Sequence, residues 1–363
     1  MRIAPSLLVF AFSALAQEPV TLDGRPALVI SNDKLALTVR TQGGAMVRLV
    51  MQDDPDKLSP LRAGMGHFVC VDGFGPVSPE ERKAGLPGHG EANRVPWETL
   101  SSEKKDGAVA VAFSATLPLV QEVFRRTIRL VGGENVVYVE SELENLLAFD
   151  RPINWGEHAT IGPPFLELGK TVVEMSAQRA MTRSHESQSE KPHRIVSFQE
   201  FTWPLAPGLN GERIDVRPAP AAAPVGDHTT SLMDVSRRLV FVTAFHPEKR
   251  LLLGYVFRRE EYPWTQLWEF YPATEKLARG MEFATQPFDL PRREVIQTNS
   301  MFGAPTYRWL PAKSKIGSAF LMFYTRTPDG FRKVDDVILD RGSLTIEDRT
   351  AGKTIALAAS RGL

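Results

Sequence analysis

AVAVAFSATLPLVQEVFRRTIRLVGGENVVYVESELEN, residues 108–145, decides the fold class. Three runs within it, 108–116, 123–131 and 135–145, are rich in β-branched residues and set apolar against polar side chains, the pattern of half-buried strands. Gly132-Gly133-Glu134 separates the last two at hairpin spacing, so neighbouring strands run antiparallel. The same grammar extends outward. Towards the N-terminus PALVIS (26–31), KLALTVR (34–40) and MVRLVM (46–51) are joined by turns at Asn32-Asp33 and Gly43-Gly44. Towards the C-terminus strands are expected at 238–245, 250–257, 266–271, 280–286 and 317–326, with a last pair near 336–346. One short helix is expected at SPEERKAG (78–85); no long amphipathic helix and no repeat of fixed period is visible. The expected fold is all-β: two large antiparallel sheets packed as a sandwich, with residues 17–363 forming a single domain.

Composition narrows the partner. The chain has 363 residues, of which 43% are hydrophobic, enough for a large core. Its 43 basic and 43 acidic residues leave no electrostatic footprint for nucleic acid or an anionic membrane surface, so a small, uncharged partner is expected. The N-terminus carries Arg2, an apolar run over 7–15, and Ala14-Leu15-Ala16 ahead of Gln17, the layout of a secretory signal peptide over residues 1–16. Cleavage between Ala16 and Gln17 would leave a periplasmic or secreted protein without a membrane span. Cys70 stands alone, which excludes an internal disulfide and a Cys-rich zinc site.

Three polar islands interrupt the strands: GLPGHGEANRVPW (85–97), INWGEHATIGPPFL (153–166) and GMEFATQPFDLP (280–291). Each lies at or just before a strand end, where the loops of a sandwich gather. In the second, alternation puts Trp155 and Glu157 on one face and Asn154 and His158 on the other, so one face packs while the other lines a cavity. A lone histidine is more often structural than catalytic. His158 becomes the first active-site candidate because the other islands supply partners for it. Residues 52–97 are a long irregular stretch that contains His67, His89 and Glu91; such loops are usually functional or disordered, and this one is read as functional. His89, in a Gly-flanked loop, is either a ligand contact or a turn residue. Glu282, between Met281 and Phe283, sits on a strand with one polar face. Trp264 and Trp268 offer flat faces to the C–H surface of a pyranose, although core packing claims at least one of them. His67, His89, His158 and His228 with nearby carboxylates would be the material for a zinc or manganese site, but no His-x-His or His-x-x-x-His spacing occurs, so metal chemistry ranks below acid–base chemistry.

These motifs resemble those of the aldose 1-epimerase, or galactose mutarotase, family. His89-Gly90 followed by Trp97 is similar to its H-G motif before a Trp, and closer to the H-G-F-A-R-x-x-W form of the glucose-6-phosphate epimerase branch. Glu157-His158-Ala159-Thr160-Ile161 resembles N-H-x-Y-F-N-L, whose His is the general acid. Asp227-His228 resembles a D-H pair that holds sugar hydroxyls, and Phe283-Ala284-Thr285-Gln286 resembles the late L-E-T-Q strand that carries the base. The resemblance implies a β-supersandwich with few short helices, which interconverts the α and β anomers of an aldose without a cofactor. His158 would protonate the ring oxygen, and a carboxylate would take the C1 hydroxyl proton. Substrate contacts fall to His89, Glu91, Arg94, Asp227 and Gln286, with Trp264 and Trp268 as stacking faces. Two departures stand out. Where the family has its basic Glu this chain has Ala284; Glu282 lies on the same face about 6–7 Å away along the strand and replaces it if the strand is slipped or bulged. The arginine that precedes the H-G motif has no match, and Arg94 is its stand-in. The reading from a second class is a carbohydrate-binding protein on the same fold that has lost the base.

Overall fold

The hairpin signals of 108–145 build the middle of one sheet. Strands Ala108–Leu117, Glu122–Val131 and Val136–Asn145 pair antiparallel, with Ile128 opposite both Val111 and Val139, and all three of these side chains are fully buried. The structure, a computed structural model, describes residues 17–183, 192–274 and 276–363; the expected signal peptide, residues 1–16, lies outside them.

Among the described residues two large antiparallel sheets dominate. The first has eleven strands in the spatial order Glu18–Leu22, Arg25–Ser31, Leu35–Arg40, Met46–Met51, His67–Val71, Trp155–Ile161, Ala278–Ala284, Trp264–Phe270, His228–Met233, Ala177–Thr182, Glu200–Thr202. The second has eight, in the order Val172–Met175, Leu239–His246, Leu251–Arg258, Lys315–Arg326, Val136–Asn145, Glu122–Val131, Ala108–Leu117, Glu98–Lys105. They face each other across one apolar cluster that runs from Leu28 to Tyr324. Phe283 of the first sheet stacks on Phe257 of the second at 4.4 Å and meets Phe320 edge-on at 5.3 Å. Because strand side chains alternate, Phe283 pointing into the core turns Glu282 to the opposite, outer face.

The His158 strand obeys the same rule. Trp155 and Glu157 point between the sheets, where the Glu157 carboxylate takes hydrogen bonds from Arg126 at 2.5 Å, from His67 Nε2 at 2.9 Å, and from the Trp155 indole and Tyr262 hydroxyl at 3.3 Å each. Burial alone would raise the Glu157 pKa, but the Arg126 guanidinium and the His67 ring hold it below the ordinary carboxylate range. His67, expected in a functional loop, therefore belongs to the core: it begins a strand and faces inward.

The expected final strand pair is a three-stranded sheet, Asp336–Asp340, Ser343–Asp348 and Lys353–Ala358. Leu344 and Ile346 from it cover Phe241 and Leu252 on the outer face of the eight-stranded sheet. The helix expected over 78–85 spans Pro79–Lys83, started by a capping box between Ser78 and Glu81. A second helix, Arg292–Thr298, was not anticipated.

Candidate active site

Strand register creates the centre of the site. Glu157 lies opposite Phe283 and Thr160 opposite Gly280, which sets His158 beside Glu282 across the two strands. On the other flank His158 pairs with Phe68. The contacts follow from this: His158 Nε2 is 3.1 Å from Glu282 Oε1, and the Phe68 ring stacks on the imidazole at 4.4 Å. The second ring nitrogen, Nδ1, lies 2.9 Å from Thr160 Oγ1, the next residue on the same face. Gly280 leaves room for the carboxylate, since a Cβ there would come 2.3 Å from Glu282 Oε1.

Burial decides the charge of this pair. It pushes the Glu282 carboxyl well above its ordinary value, and the nearby Asp289 charge adds to the rise while Arg183 opposes it. It pushes the His158 ring well below its ordinary value, with the neighbouring histidines adding to the fall. Both groups therefore favour their neutral forms, with one exchangeable proton between them. Asp289 is held below its ordinary range: burial would raise it, but His228 and Arg183 outweigh that, with Arg183 bonded to it at 2.5 Å.

His89 reaches the same centre from the 85–97 loop. Its ring is edge-on to His158 at 5.1 Å, and its Nδ1 accepts the Gly75 N–H at 3.1 Å. A neutral ring that accepts at Nδ1 carries its proton on Nε2. Burial pushes the His89 pKa down to about 4, so this neutral tautomer prevails at pH 7. The backbone is left-handed at His89, with φ of 66°, an uncommon conformation for a residue with a side chain. Gly90 follows with φ of 76°, and a Cβ on it would come 1.9 Å from the Val71 carbonyl oxygen. The H-G pair is thus a steric requirement of a loop pressed against the sheet.

These side chains lie in a cavity of about 970 Å³ on the outer face of the eleven-stranded sheet. Trp268, Phe270 and His228 line it on one side of Glu282, and Phe68, Phe74 and His89 beside His158. Arg25, Arg40, Arg62 and Arg94 line the rest with Asp289.

Of the residues expected from the sequence, His158, Glu282, His89, Arg94 and Trp268 line this cavity. Four others do not, and the expected contacts are corrected accordingly. Glu91 is buried and accepts the Val120 N–H at 3.0 Å, which pins its loop. Asp227 is buried and bonded to Arg194 Nε at 2.6 Å; its neighbour His228 takes the cavity-facing place. Gln286 is buried beyond the strand end and accepts the Thr285 hydroxyl at 2.7 Å. Trp264 shares the strand face of Trp268, but Met301 and Ala304 pack over it and its indole donates to the Pro305 carbonyl at 2.8 Å. Ala284, at the place of the family's base, is sealed beneath Phe74 beside Cys70. Sequence reading missed Phe68, Phe74, Asp289 and the arginines at 25, 40 and 62. A register pairing brings Phe68 to His158, and no local pattern reveals that pairing. No group of three His, Cys, Asp or Glu side chains suited to a metal occurs among the described residues, and no helix there is long and apolar enough to cross a membrane.

No protein-family model matches the chain, and no curated protein matches it. Solved structures do. A galactose mutarotase-like protein from Clostridium acetobutylicum superposes with a TM-score of 0.62 at 12% identity, over 86% of this chain and 99% of that one. A galactose mutarotase-like protein from Lactobacillus casei gives 0.57 at 13% identity, over 82% and 100%. A galactose mutarotase related enzyme from Lactobacillus acidophilus gives 0.54 at 12% identity, over 84% and 98%. At such identities the likeness is one of fold: the chain has the all-β galactose mutarotase-like fold.

Proposed function

We propose that the cavity binds an aldose and interconverts its α and β anomers by proton transfer. The observation that carries this reading is the His158–Glu282 pair, 3.1 Å apart in the cavity wall and pressed by burial towards sharing one proton. Anomer exchange needs a donor and an acceptor for two oxygens bonded to the same carbon, and the pair offers one of each side by side. Before a sugar binds, burial favours the proton on Glu282. A C1 hydroxyl that donates to the carboxylate favours its charged form, and the proton passes to His158. His158 then protonates the ring oxygen as the C1–O bond opens, while Glu282 takes the hydroxyl proton and the C1 carbonyl forms. Rotation about C1–C2 and reclosure by the reverse transfers give the other anomer, and the pair regains its single proton.

Surrounding groups support the same chemistry. Thr160, at 2.9 Å from Nδ1, orients the His158 ring, and Phe68 stacked on it restricts its tilt. Trp268, edge-on to His158 at 6.2 Å, offers a face to the C–H side of a pyranose. Polarimetry on freshly dissolved α-anomers across common aldoses tests the reading. His158→Asn, which keeps shape but not proton exchange, should lower the rate at least ~100-fold, the low end for loss of a general acid, with little change in affinity. If the unmutated protein binds sugar and gives no rate above solvent, the carbohydrate-binding reading replaces the catalytic one.

A further inference from the structure

We infer that an apolar corner centred on Phe149 and Trp309 is the contact surface between two copies of this chain, paired about a two-fold axis.

Five of the tryptophans have a place inside the fold or its cavity: Trp97, Trp155, Trp203 and Trp264 are buried, and Trp268 lines the cavity. Trp309 is 56% exposed, and Phe149 close by is 60% exposed. Single exposed apolar side chains are ordinary, but a contiguous group marks an interaction site. The backbone brings this group together. Trp309 pairs with Pro152 in a two-stranded ribbon, Arg151–Ile153 with Arg308–Leu310, in which Ile153 and Leu310 are fully buried. Strand alternation therefore turns Trp309 outward. Tyr307, two residues earlier, meets its indole edge-on at 5.7 Å. Buried Asn145 gathers the rest, since its side-chain amide donates to the carbonyls of Phe149 at 3.0 Å and Pro311 at 3.1 Å. Next to Asn145, exposed Leu146 donates its N–H to the Gln121 carbonyl at 3.0 Å, two residues past exposed Leu119.

These side chains are held out by a pinned backbone. Asn145 also accepts the Leu147 N–H at 2.9 Å, and Lys313 donates its backbone N–H to the Leu147 carbonyl at 3.0 Å. A surface ordered in this way gives up little conformational freedom when it docks. Area and charge select a second copy as the occupant. At roughly 200–250 Å² for a whole aromatic side chain, Phe149 and Trp309 together leave about 250 Å² of ring in water. A standard interface takes about 800 Å² from each partner, a little over half of it apolar. The two rings alone supply more than half of that apolar share, and the leucines add to it. A two-fold contact sets one patch against itself, which an apolar centre satisfies without a complementary pocket. Asp150, Arg308 and Lys313 lie in the same segments and give the rim both signs, so a rotated copy can set acid against base. With a formal net charge of zero, two copies also approach without mutual repulsion.

Sedimentation velocity on the full chain, from about 0.1 to 100 µM, reads the assembly directly. The protein should sediment at twice the chain mass, with a dissociation constant that is micromolar or tighter, as interfaces of this size give. Trp309→Asp and Phe149→Asp should each weaken the dimer at least about 30-fold, the effect of losing an interface hot spot. Val235→Asp, at a turn residue that is 65% exposed and lies outside the corner, should leave the dimer unchanged. Should the two corner variants misfold, hydroxyl-radical footprinting of the unmutated protein decides the matter: oxidation of Phe149 and Trp309 should fall as concentration rises, while that of Val235 stays constant. A monomer at every concentration overturns the inference and leaves the corner to a different partner. A dimer that survives both corner variants overturns it as well, because the contact then lies elsewhere. None of these readouts depends on sugar binding or turnover, so the proton-transfer reading stands or falls separately.

Discussion

Glu282→Gln separates catalysis from stability at one atom. The side chain is 3% exposed, with Oε1 at 3.1 Å from His158 Nε2 over a glycine that makes room for it. Glutamine keeps the volume, and its amide N–H can donate to the same nitrogen, but it cannot accept a proton. If Glu282 takes the C1 hydroxyl proton, kcat should fall at least ~100-fold, about 2.7 kcal/mol of lost transition-state stabilisation. Stability should move the other way. The folded pKa of Glu282 lies above its ordinary 4.5, so the native state keeps a proton that the unfolded chain releases. Wild-type stability is therefore lost as pH rises from 4.5 towards the folded pKa, by about 1.4 kcal/mol for each unit of the rise. Glutamine has no such loss. Urea unfolding should find the variant level with wild type near about pH 4 and more stable near about pH 8, and polarimetry on the same samples reads the rate. A variant with full activity makes Glu282 a structural acid. A variant that loses stability at the higher pH means that a charged His158–Glu282 pair, and not a shared proton, holds the site together.

Two further outcomes follow from the same geometry. The pH profile of kcat/KM should be a bell: activity falls on the acid side when His158 takes a second proton, below its ordinary 6.5, and on the alkaline side when the pair loses its one proton, above the ordinary carboxylate value of 4.5. An acid limb that inflects at or above 6.5 contradicts the burial argument. The two tryptophans should separate in denaturant titration and sugar titration. Trp264→Ala should cost about 3–5 kcal/mol of stability as a core truncation, whereas Trp268→Ala should mainly weaken sugar binding; the reverse pattern would mean that the cover over Trp264 opens.

Elements with one buried face were legible in the sequence. Residues 108–145 read as strands because burial imposes alternation on them, and the same alternation put Glu157 inside and His158 outside. Strand Glu98–Lys105 escaped notice because nearly all its side chains are exposed and only backbone pairing with Ala108–Leu117 defines it. Registers also escaped. That His158 lies between Phe68 and Glu282 is a property of two strand pairings, one from residues 90 positions before it and one from residues 124 positions after it, and no local pattern encodes either. Parity placed Trp264 and Trp268 on one face, but parity is silent about which end of that face a later segment will cover. Glu91 and Asp227 looked like ligand contacts for a related reason. A carboxylate beside a motif histidine looks the same in sequence whether it meets a sugar or, as here, Val120 and Arg194.

Whole-chain charge is a coarse guide to a partner. With 43 residues of each sign the sum is zero, and the sequence reading turned that into an uncharged partner. A sum carries no information about where charges cancel. Many of the acids are spent in the interior: Glu157 on Arg126, Asp72 on Arg151, and both Asp227 and Glu269 on Arg194. Such pairs persist because a buried carboxylate without a cation costs several kcal/mol, so the core claims its counter-ions first. In a chain of zero net charge, cations left over at one surface must be matched by acids exposed elsewhere. Acids more than a Debye length away are screened, so at the cavity only near groups count, such as Asp23 at 3.5 Å from Arg40 and Asp289 in the lining. Local potential at the cavity, and not net charge, is then what an approaching ligand meets.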